Sequence, residues 1–227
     1  MLWYKGWLET RFRLVFVLAV VTLMLSVQLY GGTKVDVRAV ILMAGMSVWL
    51  ICVFLAAAGI VTQQSLQAAK GLHGSTLFTL TLPVSRFRLL AVRASLGWLE
   101  MAGGIAGICC LLWFLFPVIR GAATPQEMIE YAAVLIVCAS AFYCITVLLA
   151  TFLDDLWRVW GSFLCYGAIW WLAYKIPAPA SVNIFLAMGD GSPVLAHTMP
   201  WAAMAFALGL AAVLFFAALK VVQHREY

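Results

Sequence analysis

Residues 128–153 read MIEYAAVLIVCASAFYCITVLLATFL, and Glu130 is the one charged side chain among them. At a rise of about 1.5 Å per residue, a helix of this length can cross the roughly 30 Å of hydrocarbon in a bilayer. An apolar stretch of more than about 18 residues with almost no charge indicates a membrane span rather than a buried helix of a soluble protein. The stretch therefore predicts a transmembrane helix.

The composition of the whole chain agrees with a membrane location. Hydrophobic residues make up 66% of the 227 residues and charged residues only 10%, whereas soluble domains keep about 25% charged residues to cover their surface. Further apolar runs that can each cross a bilayer lie at residues 14–29, 40–61, 94–118, 159–176 and 201–222. The sequence predicts an all-α membrane protein with six transmembrane helices, folded as a single transmembrane domain over residues 1–227.

Lys and Arg residues are unevenly divided between the two sets of connecting segments. With the N-terminus in the cytoplasm, those that fall on the outer side are Lys34, Arg38, Arg120 and Lys175. The rest of the 14 fall on the cytoplasmic side. Because cytoplasmic loops carry the excess of positive charge, we expect both termini in the cytoplasm and the protein in a bacterial inner membrane. The same placement accounts for the net charge of +5 and argues against nucleic-acid binding.

Three segments outside the spans have a predicted structure of their own. Residues 1–13 gather aromatic side chains on one side of a helical wheel and charges on the other, which is typical of an interfacial amphipathic helix. Residues 62–93 form a long cytoplasmic loop that turns at Pro83. Residues 177–200 lie outside between prolines, and their apolar stretch at 182–188 suits a short re-entrant helix.

The end of the cytoplasmic loop carries the most specific motif of the chain. Residues 80–90 read LTLPVSRFRLL and follow GSTL at residues 74–77. This stretch resembles the segment of the ATP-binding-cassette type-2 permease family in which a glycine-led helix ends in LPVSR and runs into a span. The resemblance extends to the amphipathic N-terminus, the six spans, the first cytoplasmic loop and the outer re-entrant segment, and so covers nearly the whole chain.

The resemblance implies the membrane subunit of an ATP-driven exporter. Two protomers, identical or different, would lie side by side in the bilayer, and a cytoplasmic ATPase would contact the coupling helix of the first cytoplasmic loop. That partner would bind ATP and Mg, since this chain has no phosphate-loop motif and no cofactor of its own is expected. The implied coupling residues are Ser75, Leu77, Phe78, Leu80, Pro83, Ser85 and Arg86.

One departure from the family concerns the start of this loop. Such permeases often carry acidic residues there, whereas this chain has Gln63, Gln64, Gln67 and Lys70. The polarity of the contact with the ATPase is therefore expected to differ from the usual one.

Polar residues inside the predicted spans are candidates for a transport path. Glu100 is the one acid deep in an apolar run, and an intramembrane carboxylate usually faces a cavity or a partner. A helix–helix hydrogen bond is the alternative for Glu100, and bonding to the backbone is the alternative for the hydroxyl side chains. The candidates are Glu100, Gln28, Ser26, Tyr143 and Thr146.

Two further patterns concern packing and connections. Gly103 and Gly107 share one helix at a spacing that lets another backbone approach closely. Asp154, Asp155 and Arg158 are expected in a tight, solvated cytoplasmic turn between the fourth and fifth spans.

Residues for catalysis or metal binding do not cluster in the sequence. His73, His197 and His224 are scattered, there is no H-E-x-x-H, and the six cysteines lack C-x-x-C spacing. We therefore expect no enzymatic activity and no metal in this chain. A cavity with few charges suits an amphipathic or lipid-like cargo, although haem, sodium and glycan exporters share the architecture. The alternative from another class is a non-transporting membrane scaffold or assembly factor.

The predicted topology can be tested by labelling single cysteines in a chain whose native cysteines have been replaced. A membrane-impermeant maleimide is expected to label Ser75→Cys only in inverted vesicles, because the loop at 62–93 should face the cytoplasm. Ser181→Cys, in the outer segment, is the control and should be labelled in intact cells. Labelling of Ser75→Cys from outside would contradict the topology and remove the proposed contact with an ATPase.

Overall fold

Helices form nearly all of the regular structure of the protein. The computed structural model describes residues 14–24, 26, 36–56, 86–153, 155–175 and 179–224, and these ranges contain no β-strand. The helices are α1 Leu14–Met24, α2 Val37–Ala56, α3 Arg86–Leu115, α4 Pro117–Ala122, α5 Pro125–Ala150, α6 Asp155–Lys175, α7 Ile184–Met188, α8 Pro193–Ala196 and α9 Trp201–His224. A 3₁₀ turn at Ala180–Val182 precedes α7.

The long helices confirm the coarse prediction of a helical membrane protein. Within the described ranges, four helices are long and apolar enough to cross a membrane, namely α2, α3 over Leu90–Leu115, α5 and α9. These four fit a multi-pass membrane protein. The shorter apolar helix α1 and the more polar helix α6 coincide with the first and fifth predicted spans, and their crossing of the bilayer stays a prediction.

Helix α5 is the centre of the bundle. It packs against α2, α3, α6 and α9, and every residue from 138 to 147 is buried. A helix that is apolar on all sides is buried on all sides, and this one is enclosed for almost three turns. The apolar stretch at 128–153 is therefore the helix around which the others pack.

The ends of α3 and α5 are set by local chemistry. Thr124 forms a capping box with Glu127, because its hydroxyl accepts the Glu127 N–H at 3.2 Å and the Glu127 carboxylate accepts the Thr124 N–H at 2.7 Å. Helix α5 consequently begins at Pro125, three residues before the predicted boundary at 128. Helix α3 stops at Leu115 because a residue followed by proline disfavours helical backbone, and Phe116 is extended before Pro117.

The chain between α6 and α9 folds back into one end of the bundle. The Phe185 ring of α7 lies 5.7 Å from the ring of Trp49 and 5.4 Å from that of Phe142, measured between centroids. Trp49 is about 18 Å along the axis of α2 from its first residue. The short apolar stretch at 182–188 thus contains a helix, Ile184–Met188, that packs inside the bundle, and its re-entry into a membrane stays a prediction.

An ion pair joins this segment to the start of α2. Arg38 donates through Nε and Nη2 to the two Asp190 carboxylate oxygens at 2.6 and 2.7 Å. The hydrogen bond from Arg38 lowers the pKa of Asp190. The pair therefore contributes stability at pH values above the ordinary aspartate range, and loses it as the pH falls through the lowered pKa. Side chains that are 62% and 40% exposed make that contribution small.

Contacts with α5 hold the same segment from the other side. The Tyr131 hydroxyl donates to the Ile41 carbonyl at 3.0 Å and lies 3.3 Å from the Met188 carbonyl oxygen, so that one buried side chain touches both α2 and α7. Beyond α8, His197 Nδ1 lies 2.6 Å from Glu127 Oε1 near the start of α5. Helix α7 is therefore tied to α2 and α5, and the end of α8 is tied to the start of α5.

The depth of α7 can be tested with a disulfide. A Cβ built on Gly45 would lie 3.6 Å from the Met188 Cβ, within the range of about 3.5–4.5 Å found in disulfides. Oxidation of the double variant Gly45→Cys/Met188→Cys, in a chain lacking the native cysteines, is expected to give an intramolecular bond detectable by mass spectrometry. Gly103→Cys/Met188→Cys is the control, because no Met188 atom lies within 4 Å of a Cβ at Gly103. Equal cross-linking in the two variants would contradict the packing of α7 on α2.

Candidate functional site

Two of the residues predicted for a transport path are buried near each other in the bundle. Glu100 of α3 is 5% exposed and Tyr143 of α5 is also buried. The Tyr143 hydroxyl donates to the Ala94 carbonyl at 2.7 Å and lies beside Gly97, one turn before Glu100 on α3. Because a carboxylate within a membrane bundle is expensive unless it has a function or a partner, the junction of α3 and α5 is the candidate functional site.

Two arginines are buried towards the same end of the bundle. Arg93 lies seven residues before Glu100, hence on the same face of α3. Arg158 of α6 donates from Nη1 to the Val53 carbonyl of α2 at 3.0 Å. The prediction that Arg158 belongs to a solvated turn is wrong, because α6 already begins at Asp155 and turns this side chain into the bundle.

Thr146, another predicted path residue, faces α6 instead. Its hydroxyl lies 3.1 Å from the Ser162 hydroxyl and is hydrogen-bonded to the Tyr166 hydroxyl. Tyr166 in turn donates to the Phe142 carbonyl at 2.7 Å. All these side chains are buried, and the hydroxyl groups are bonded to one another and to the backbone. These bonds join α5 to α6. The Thr146 hydroxyl also lies 3.3 Å from the Phe142 carbonyl oxygen of its own helix, in agreement with the backbone-bonding alternative.

An aromatic cluster connects these hydroxyl groups to the outer segment. The cluster consists of five ring pairs with centroid distances between 5.0 and 6.2 Å, formed by Trp49, Phe142, Tyr166 and Phe185. They come from α2, α5, α6 and α7, so four elements meet at this point. The apolar run around Trp49 gave no signal that this side chain would belong to the core.

The remaining predicted residues lie apart from this site or outside the described ranges. Ser26 donates its hydroxyl to the Leu23 carbonyl at 2.8 Å, in agreement with the backbone-bonding alternative. Arg86 begins the described part of α3, and its side chain is not described. The predicted residues outside the described ranges are Gln28, Ser75, Leu77, Phe78, Leu80, Pro83 and Ser85.

Grooves with apolar walls open on the surface of the bundle. One of about 280 Å³ lies between α2, α6 and α7 and is lined by Leu42, Trp49, Trp170 and Phe185 among others. A second of about 400 Å³ lies between α3 and α5, beside Trp113. Such walls match the apolar part of an amphipathic molecule better than a hydrated ion.

Comparison of the chain with protein-family models, with curated proteins and with solved structures found no match. A functional interpretation therefore depends on the residues and contacts described above.

The structural role of the bonded hydroxyl groups of Thr146, Ser162 and Tyr166 can be tested with Tyr166→Phe, which keeps the ring and removes the hydroxyl. Unfolding free energy is expected to fall by about 1 kcal/mol, since hydrogen bonds between membrane helices contribute about 0.6 to 1.7 kcal/mol. Ser26→Ala is the control and should change it little, because Ser26 bonds only its own helix among the described residues. Stability would be measured by titration with a denaturing detergent. Unchanged stability together with altered transport would instead assign Tyr166 to a path.

Proposed function

We propose that this chain is the membrane-spanning permease subunit of an ATP-driven exporter, with ATP hydrolysed by a separate cytoplasmic ATPase. The observation that carries the proposal is the continuity of α3. Its 30 residues make a rod of about 45 Å, which begins at the end of the LPVSR motif and continues as an apolar membrane helix. A partner bound to the motif would therefore act directly on the transmembrane part of the chain.

The packing of α2 and α3 supports the same mechanism. Helix α2 precedes the loop at 62–93 and α3 begins within it at Arg86, and the two helices pack against each other and against α5. Force applied to a stiff segment joined to two helices is passed on to both, whereas a flexible loop would absorb it. ATP binding by the partner would thus rock α2 and α3 and open a cavity towards the outside.

The aromatic residues of α6 support it as the fifth span. Trp157 and Trp160 are exposed at one end of the helix, and Trp170 and Trp171 are exposed at the other. The two groups lie about 20 Å apart along the axis, and tryptophans of membrane helices concentrate at the two interfaces. With α1 as the first span and α6 as the fifth, the proposed chain has six transmembrane helices.

The surfaces of the bundle suit a dimer and an amphipathic or lipid-like cargo. Most of the apolar stretch of α3 and of α9 is not buried within the bundle, which leaves faces for lipid and for a second protomer. The groove beside Trp49, Trp170 and Phe185 offers aromatic surface at the end of the bundle predicted to be outside.

A membrane scaffold is the second candidate, and the dense packing around α5 is compatible with it. The buried Thr146, Ser162 and Tyr166 bond to one another, an arrangement that suits a fixed structure as well as a moving one. The two candidates differ in their need for ATP hydrolysis. A catalytic mutation in an associated ATPase that leaves cellular function intact would favour the scaffold.

The coupling contact can be tested by placing a charge on its apolar residues. Leu77→Asp, Phe78→Asp and Leu80→Asp are each expected to weaken ATPase binding about 10-fold, equivalent to about 1.4 kcal/mol, because a buried unpaired carboxylate opposes association. Recovery of the ATPase and its ATP turnover would be measured after purification in detergent. Leu66→Asp, in the same loop but outside the motif, is the matched control. Unchanged recruitment and transport in all three variants would contradict the proposal.

A further inference from the structure

Helix α3 lies very close to two neighbouring helices at Gly97. A Cβ at this position would lie 2.6 Å from the Tyr143 hydroxyl oxygen of α5 and 3.2 Å from the Leu55 carbonyl oxygen of α2. Two later glycines of α3 have more room among the described residues: no atom of a neighbouring element lies within 4 Å of a Cβ at Gly103, and at Gly104 the nearest are side-chain ends at 3.8 Å. Two other helices therefore press against the backbone of α3 at one point.

A hydrogen bond fixes the same point. The Tyr143 hydroxyl lies against Gly97 and donates to the carbonyl of Ala94, one turn earlier on the same face of α3. Tyr143 is itself held on α5, where every neighbouring residue from 138 to 147 is buried. The buried Arg93 and Glu100 flank the contact, one turn before Gly97 and one turn after it. The contact thus joins α3 to the most enclosed part of the bundle.

We infer that Gly97 and Tyr143 form the pivot about which α3 moves during coupling. The inference rests on the proposed function and assigns both as positioning residues. Gly97 lies about 17 Å from the start of α3 at Arg86 and about 27 Å from its end at Leu115. Rotation about this point moves the outer end about 1.6 times as far as the inner end, in the opposite direction.

The chemistry of the contact suits rotation better than sliding. A glycine offers no side chain to interlock with a neighbour, and small residues let membrane helices approach closely. A hydroxyl–carbonyl hydrogen bond tolerates a broad range of angles at the acceptor, so Tyr143 can remain bonded while α3 tilts. Translation of α3 along its axis would break that bond and bring a side chain of the next turn against the Leu55 carbonyl.

The pivot can be tested with a methyl group at Gly97. Gly97→Ala places a carbon so close to the Tyr143 hydroxyl oxygen that Tyr143 must shift. Gly103→Ala is the matched control on the same helix. The double variant Gly97→Ala/Tyr143→Phe removes the oxygen that collides with the new carbon. Spin labels at Phe114→Cys on α3 and Tyr174→Cys on α6, positions 72% and 77% exposed, would report the outer end. Their separation would be measured in the complex with the ATPase, with and without a non-hydrolysable ATP analogue, in a chain lacking native cysteines.

We expect the nucleotide analogue to change the separation of the two spin labels when Gly97 is kept, both in the chain with no further substitution and in the Gly103→Ala control. Gly97→Ala should lose most of that change, and Tyr143→Phe in addition should restore it. Should Gly97→Ala fail to assemble, Tyr143→Phe alone is expected to broaden the distribution of separations, since the bond to Ala94 is lost. An equal change in Gly97→Ala and Gly103→Ala, or an unaltered distribution in Tyr143→Phe, would overturn the pivot alone. No bound ATPase in any variant would overturn the proposed function.

Discussion

The enclosure of α5 is the constraint on which the rest of the structure depends. A helix surrounded by other helices in a membrane has no water to satisfy its polar side chains, so they must bond within the bundle. Tyr131 donates to the backbone of α2 and Tyr143 to that of α3, while Ser140 accepts the indole N–H of Trp98 at 2.9 Å. These bonds set the positions of the neighbouring helices around α5 and bring Glu100 to the candidate site.

The existence of the helices was predictable, because long apolar runs with almost no charge have few alternative structures. The ends of the helices can be predicted only from local signals such as caps and prolines, which hydropathy does not include. Thr124 and Glu127 have the spacing of a capping box, which places the start of α5 at Pro125 rather than at residue 128. Pro117 likewise marks the end of α3, which a boundary drawn from hydropathy alone placed at residue 118.

The candidate site could be predicted in its members but not in its contacts. Glu100, Tyr143 and Thr146 stand out as polar residues in apolar runs, yet only the first two lie near each other, and Thr146 faces α6. In a helix that is apolar on all sides, no polar face shows how the helix is rotated about its axis. Contacts between residues far apart in sequence, such as Arg38 and Asp190, could not be predicted either, because they depend on how the helices are arranged.

The position of Phe185 has a consequence for biogenesis. Its ring packs against Trp49 and Phe142, and the ring of Tyr166 packs against the same two side chains, so that three different helices form this surface. Until those helices have left the insertion machinery and associated, the short helix that carries Phe185 has no surface on which to dock. Synthesis must therefore deliver α6 before this outer segment can take its place, and its docking reports that the preceding helices have assembled.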